Sequence, residues 1–150
     1  MNIAYFLTPR QDVVSVYDDN TLRKGLEIMR SSGYSFMPVT SRDNIYAGVV
    51  GVSDFLWYLI PEDSDEYGNV PVRPIDGGYI RDIMDRTSYP AVSVTASIEE
   101  LMDRIMEHNF VPVVDGRNSF MGIITRHSVM EYFRKRDTGI VERIASASYI

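Results

Sequence analysis

Residues 38–55 read PVTSRDNIYAGVVGVSDF, and residues 112–129 read PVVDGRNSFMGIITRHSV. The two segments align without a gap at an offset of 74, with the Pro-Val pair, an asparagine and a glycine between apolar residues in register. Each contains two short β-rich runs around a polar turn, which is the pattern of a β-hairpin. This internal repeat decides the fold, because two copies of one small unit have apolar faces that only the other copy can cover.

The repeat continues upstream with small gaps. Val14–Val16 pair with Val92–Val94, and Thr21 pairs with Ser97. Two copies of about 60 residues therefore occupy most of the chain.

Each copy has the same predicted order of elements, β-α-β-β-α. An extended apolar stretch leads into an amphipathic helix, for which we place the N-caps at Asn20 and Ser97. The hairpin follows, and a second helix closes each copy, over residues 53–59 and 126–136. The fold class is therefore α/β (α+β), with two motifs packed sheet to sheet about a pseudo-two-fold axis.

The core and the division of the chain follow from the same alignment. We expect four side chains of the hairpins in the core: Val39, Val49, Val113 and Ile123. The stretch between the copies is rich in proline, glycine and acidic residues, which predicts an exposed linker. The predicted division is a first motif at 1–60, a linker at 61–78, a second motif at 79–136 and a C-terminal tail at 137–150.

Composition excludes several classes of function. The 150 residues include 15 Lys plus Arg and 21 Asp plus Glu, a net charge of −6, so we expect no nucleic-acid partner. No apolar run approaches the roughly 20 residues of a membrane span, and no signal peptide is evident, so we expect a cytoplasmic protein without a membrane partner. The chain lacks Cys, and its two histidines are unpaired at ligand spacing, so we expect neither a metal nor a cofactor.

With these motifs in place, the chain resembles a tandem pair of CBS domains, a Bateman module. The resemblance is carried by the two Pro-Val segments and the two apolar-Gly-apolar-apolar segments, and it covers nearly the whole chain. More narrowly, GYSFMPV at 33–39, HNFVPV at 108–113 and GIITRH at 122–127 are similar to stand-alone bacterial CBS pairs that bind cyclic di-AMP.

The resemblance implies a nucleotide site in the cleft between the copies. Members of the family commonly end the third strand with a Thr, two residues and an Asp, which bind phosphate and ribose. Here that pair is divided, since the first copy keeps Asp54 and the second keeps Thr125. Arg126 and His127 follow at a helix start, where backbone N–H groups and the helix dipole favour an anion. Thr125 is equally suited to be the N-cap of that helix, and Asp54 to be a first-turn acid.

The base-binding loop of the family falls on the approach to the second strand of copy one. The predicted nucleotide-binding residues there are Tyr34, Ser35, Phe36, Met37 and Pro38, joined by Val13 and Val14 through their backbone. Tyr34 is suited to stack on adenine and Met37 to line its face, although Phe36 and Met37 are equally suited to the core.

The resemblance implies a non-enzymatic regulator that binds an adenine nucleotide, with cyclic di-AMP expected, and that controls a protein partner such as a metabolic or alarmone enzyme. AMP, ADP or ATP is the alternative ligand, and a dimerisation module without ligand is the alternative role. No nucleophile–base constellation or Walker-type loop supports an enzyme. Apolar side chains at the ends of the second helices, among them Trp57 and Phe133, predict a homodimer.

Overall fold

The computed structural model describes residues 1–61, 66–69 and 71–147, and for residues 138–147 it describes the backbone alone. Parts of the predicted linker (62–65 and 70) and of the predicted tail (148–150) lie outside the described residues. No helix in the described ranges is long and apolar enough to cross a lipid bilayer.

The first half of the chain opens with a short segment in which 3-10 turns at residues 3–6 and 10–12 flank a two-residue strand. Its elements are β1 (Thr8–Pro9), β2 (Val16–Tyr17), α1 (Leu22–Ser32), β3 (Phe36–Thr40), β4 (Tyr46–Gly51) and α2 (Val52–Leu59). Thr21 is the N-cap of α1, since its hydroxyl accepts from the Lys24 N–H at 3.1 Å. The N-cap prediction at Asn20 is wrong because the Asn20 side chain instead accepts from the Tyr17 N–H at 2.8 Å and closes the preceding turn.

The second half begins with a helix in place of β1 and then repeats the order from β2 onward. Its elements are α3 (Ile80–Ile83), β5 (Val92–Ser93), α4 (Ile98–Glu107), β6 (Phe110–Val114), β7 (Phe120–Thr125) and α5 (Arg126–Ala147). Ser97 caps α4 as predicted. Helix α5 is longer than predicted, because residues 137–147 continue it. The α/β class and the pairing of two β-α-β-β-α motifs are confirmed.

Strand register corrects the upstream part of the repeat alignment. Val16 pairs with Val39 in β3, and Val92 pairs with Val113 in β6. Val39 and Val113 are equivalent in the gapless alignment, so Val16 is equivalent to Val92. The sequence alignment had matched Val14 to Val92, two residues out of register, because alternating valines fit either way.

The two halves exchange their leading segments. Strand β1 pairs antiparallel with β7, giving the order β1-β7-β6-β5 in one sheet, while the other sheet is β2-β3-β4. Ile3 and Phe6 are buried in the core of the second half. Reciprocally, Ile80 and Met84 are buried in the core of the first half, and Asp85 forms a bridge to Val49.

The hairpin tips meet at the pseudo-two-fold axis. Phe120 N–H donates to the Asn44 carbonyl at 2.8 Å, and Tyr46 N–H donates to the Asn118 carbonyl at 3.1 Å. Both asparagines have positive φ values, 64° and 62°, a conformation that asparagine tolerates. These reciprocal bonds give equivalent residues of the two motifs the same surroundings.

The core predictions hold for three of the four hairpin side chains. Val39, Val49 and Val113 are buried, with exposures of 0%, 1% and 0%. Ile123 is only half-buried and the prediction for it is wrong, because alternate residues of β7 face opposite ways and Ile124 is the one turned into the core. Ile123 instead faces the space between the two halves.

Candidate functional site

A cavity of about 310 Å³ lies between the two halves. This volume is at the lower end of the range of small-molecule sites. Its lining is mostly apolar and comes from both motifs: Thr8, Asp12, Val13, Val14, Tyr34, Phe36, Pro38, Asn109, Phe110, Ile123 and Thr125. The structure therefore brings together six of the residues predicted from sequence: Val13, Val14, Tyr34, Phe36, Pro38 and Thr125.

Two aromatic side chains from the first motif form one wall. Helix α1 ends at Gly33, whose φ of 75° turns the chain sharply, and Tyr34 and Phe36 follow on the way into β3. Tyr34 is 58% exposed and Phe36 is 42% exposed, although both border a cavity. Aromatic faces left open beside an apolar cavity are suited to stack on a flat ring.

Thr125 lines the cavity from the second motif, as the last residue of β7 and the residue directly before α5. Its hydroxyl oxygen accepts from the Ser128 N–H at 3.1 Å, the N-cap geometry, and its carbonyl accepts from the Ser128 hydroxyl at 2.9 Å. The Thr125 O–H remains able to donate to a ligand. The positive end of the α5 dipole therefore lies at the cavity wall.

Arg126 is engaged elsewhere in the second motif. Its guanidinium donates to the carbonyls of Ile105 and Met106, at 2.8 and 3.3 Å, and to Asn109 Oδ1 at 3.0 Å. These bonds satisfy carbonyls at the end of α4. Arg126 does not line the cavity, and it contacts the site through Asn109, which does.

Asp54 lies in the first motif, away from the cavity lining. Its carboxylate accepts from the Gly51 N–H at 2.8 Å at the start of α2, the first-turn position that the sequence offered as its alternative role. Burial raises the pKa of Asp54, and the Asp85 carboxylate raises it further, while the bond from Gly51 lowers it. The Asp54 carboxylate in turn helps to raise the pKa of the Tyr89 hydroxyl, after burial and the Asp85 carboxylate.

The structure places the three remaining predicted residues outside the cavity lining. Met37 is fully buried in the core of the first half, with an exposure of 0%. The backbone carbonyl of Ser35 accepts a hydrogen bond from the Val52 N–H at 3.0 Å. His127 is exposed at the start of α5.

Sequence reasoning missed five lining residues: Thr8, Asp12, Asn109, Phe110 and Ile123. The offset of 74 pairs Phe36 with Phe110, and equivalent loops of a two-fold pair meet at the axis. Asn109 and Phe110 could therefore have been predicted as partners of the loop that carries Phe36. Thr8 and Asp12 carried no such signal, since they reach the cavity only through the exchange of leading segments.

The cavity is not electropositive. Among the described residues, the only charged side chain in its lining is the exposed Asp12. The available polar contacts are hydroxyls, the Asn109 amide and backbone groups. Such a lining suits a flat, largely apolar ring with a few directed hydrogen bonds.

Comparison with known proteins supports this description of the architecture. Residues 5–61 and 80–135 match the sequence model of the CBS domain. A structure of CbpB in complex with c-di-AMP superposes with a TM-score of 0.79 and 21% identity, covering 95% of this chain and 91% of that one. The CbpB protein of Listeria monocytogenes in complex with c-di-AMP gives 0.77 and 22%, covering 92% and 98%.

CBSX2 in complex with AMP superposes with a TM-score of 0.70 and 22% identity, covering 91% of this chain and 98% of that one. At these identities the likeness establishes the fold. A sequence search of curated proteins gives no match.

Proposed function

The chain belongs to the CBS domain family, and on that premise we propose that it is a non-catalytic regulatory protein that binds an adenine nucleotide in the cavity between its two motifs. The observation that carries this proposal is the cavity itself. It is a mostly apolar space bordered by open aromatic side chains and by Thr125 at the start of a helix. An adenine ring fits the first feature and a phosphate the second.

Cyclic di-AMP is the ligand that we propose. CbpB proteins, which have a similar fold, have been solved in complex with this nucleotide. In this chain the base would lie against Tyr34 and Phe36, with the backbone of Val13 and Val14 along its edge. A phosphate oxygen would accept a hydrogen bond from the Thr125 hydroxyl at the start of α5. Since no cationic side chain of the described residues lines the cavity, we expect the phosphate contacts to be hydrogen bonds from neutral donors.

One observation favours a mononucleotide as the second candidate. The Asp12 carboxylate lies at the cavity rim, where it could accept from both hydroxyls of a free ribose and would repel a nearby phosphate. AMP carries a free 2′,3′-diol, whereas the 3′ oxygens of cyclic di-AMP are esterified. A structure of similar fold, CBSX2, carries AMP.

Isothermal titration calorimetry with cyclic di-AMP, AMP, ATP and cyclic di-GMP tests the proposal. We expect saturable binding of cyclic di-AMP and none of cyclic di-GMP. Thr125→Val should weaken binding by about 1.5–3 kcal/mol, the range for hydrogen bonds to charged groups, and Thr125→Ser should restore it. The control is Thr87→Val, an exposed threonine outside the cavity. Absence of binding by every adenine nucleotide would refute the function.

Asp12→Asn separates the two ligands in the same assay. If the ligand is cyclic di-AMP, removing the carboxylate should leave binding unchanged or strengthen it. If the ligand is AMP, binding should weaken, because a neutral amide is a poorer acceptor for the diol. Asp43→Asn, an exposed acid in the β3–β4 turn, is the matched control.

We also propose that the protein is a homodimer and that ligand binding changes its engagement of a protein partner. Trp57 is 67% exposed and Leu56 is 43% exposed on α2. On the second motif, Met106 and Met130 are 77% and 63% exposed beside the groove between α4 and α5. Light scattering at micromolar concentrations should give twice the chain mass.

A further inference from the structure

The pseudo-two-fold axis predicts a second cleft equivalent to the cavity. Val16 and Val92 are equivalent by strand register, so three residues earlier Val13 is equivalent to Tyr89. The gapless part of the repeat pairs Ile123 with Val49, and the same offset carried two residues upstream of Phe36 and Phe110 pairs Tyr34 with His108. The second cleft would therefore be bordered by Tyr89, His108 and Val49, near Asp54.

The structure shows this second position filled from within the chain. The Tyr89 ring stacks on His108 with centroids 4.0 Å apart and an interplanar angle of 26°. It also lies 5.3 Å from Phe110, at 20°, and 6.0 Å from Phe36, at 43°. Phe36 and Phe110 border the open cavity as well, so the two clefts share these rings.

The backbone around Tyr89 is fixed by bonds from both halves. Tyr46 Oη donates to the Tyr89 carbonyl at 2.6 Å, and burial raises the pKa of Tyr46, so that this phenol stays protonated. His108 Nε2 donates to the Ser88 carbonyl at 2.6 Å. The crevice that Tyr89, His108 and Phe110 line at this position has no room for a water molecule.

Several side chains differ between the two clefts, and the pair that bears most on the free volume is Val13 and Tyr89. On the open side, Val13 leaves the space in front of Phe36 and Phe110 free. On the closed side, Tyr89 puts a flat ring into that space, stacked as a base would be. Burial first, then the Asp85 and Asp54 carboxylates, raise the pKa of the Tyr89 phenol.

We propose that Tyr89 occupies the second nucleotide cleft as a built-in ring, so that each chain binds one nucleotide, and that removing this ring opens a latent second site. The proposal rests on the proposed function, because the open cavity supplies the reference site. The latent site would take a nucleotide with a flat base and a free ribose diol, since Gly51 stands where the open cavity has Thr125, and the Asp54 carboxylate is bonded to the Gly51 N–H at 2.8 Å.

The test is the stoichiometry of AMP and cyclic di-AMP binding, measured by calorimetry and by NMR titration. The wild type should bind one ligand per chain. Tyr89→Val, which copies the open side, should bind a second ligand, with AMP as the preferred probe. Tyr89→Phe keeps the ring and should leave the stoichiometry at one. Asp54→Ala in the Tyr89→Val background should weaken only the second binding event.

The mirror variant, Val13→Tyr, keeps the proposal testable if Tyr89→Val unfolds. A tyrosine at this position should fill the open cavity and lower affinity by at least about tenfold, without loss of stability. The control is Val13→Leu, which adds less volume to the cavity and should therefore lower the affinity less. If Val13→Tyr binds as tightly as the wild type, a tyrosine at this position does not close a cleft and the proposal is wrong.

The outcomes separate this inference from the proposed function. One site in the wild type and one in Tyr89→Val overturns the inference and leaves the function in place. No site in the wild type and one in Tyr89→Val overturns the function and supports the inference. No binding by either protein overturns both.

Discussion

Gly48 and Gly122, at equivalent positions of β4 and β7, show how the exchange of leading segments constrains a single residue. Their φ values are 156° and 149°, which side chains rarely adopt. A Cβ on Gly122 would overlap the Thr8 carbonyl oxygen, and one on Gly48 would overlap the Asp85 carbonyl oxygen. The glycine between apolar residues that marks the repeat is therefore required by the leading segment of the other half.

Gly122→Ala is expected to destabilise the protein by more than about 2 kcal/mol, because it adds a strained φ to a backbone overlap. Urea denaturation measures the loss. Gly116→Ala is the control, since Gly116 has no positive φ and open space where its Cβ would lie. That variant should stay within about 0.5 kcal/mol of the wild type. Equal stability of the two variants would contradict the role assigned to Gly122.

At the scale of elements, a side chain at the start of α5 caps the C-terminal end of α4. The Arg126 guanidinium donates to two carbonyls of the last turn of α4 and to Asn109, which borders the cavity. Arg126, for which the sequence predicts phosphate binding, thus connects two helices. Its binding of phosphate stays a prediction. An effect of Arg126 on binding can act through the position of Asn109.

Arg126→Ala should cost roughly 1.5–3 kcal/mol of stability, because it leaves part-buried carbonyls without a charged donor. Thermal and urea unfolding measure this. Arg134→Ala, on the same helix with a side chain that is 71% exposed, should change stability by less than about 0.5 kcal/mol. If Arg126→Ala loses nucleotide affinity and keeps full stability, direct phosphate contact is the better account.

At the scale of the whole molecule, the exchanged segments couple the two motifs. Ile3 has no exposed surface and lies in the core of the second half, although the sequence assigns it to the first motif. Ile80 has the reciprocal position in the core of the first half. Neither half therefore completes its core without the leading segment of the other, and the pair should unfold as one cooperative unit.

Ile3→Ala is expected to destabilise the protein by about 2–5 kcal/mol, the range for truncating a buried isoleucine. The single tryptophan, Trp57, lies in the first half and reports on its unfolding. Its fluorescence transition should shift together with the circular dichroism transition. Ala4→Ser, at an exposed neighbour, should leave both unchanged. The prediction would be wrong if the midpoint of the Trp57 fluorescence transition stayed unchanged while the circular dichroism transition split into two steps. That result would show that the two halves unfold independently.

The sequence by itself determined the repeat, the order of elements, the family and half of the candidate site. These features are local or periodic: hairpin patterns, a serine cap at residue 97, and equivalent loops at Phe36 and Phe110. Its errors came where two local choices were equally good. Asn20 and Thr21 are both capping types, and alternating valines fit two registers, so that long-range strand pairing had to decide.

Only the tertiary structure decided which residues of the two motifs meet. Thr8 and Asp12 reach the cavity because β1 crosses to the second sheet, a pairing between residues more than a hundred positions apart. Arg126 faces away from the cavity because the open carbonyls of α4 attract its guanidinium. Tyr89 stacks on His108 and Phe110 while its equivalent, Val13, borders the open cavity, because the pseudo-two-fold axis makes the two positions equivalent and a tyrosine ring takes more volume than a valine.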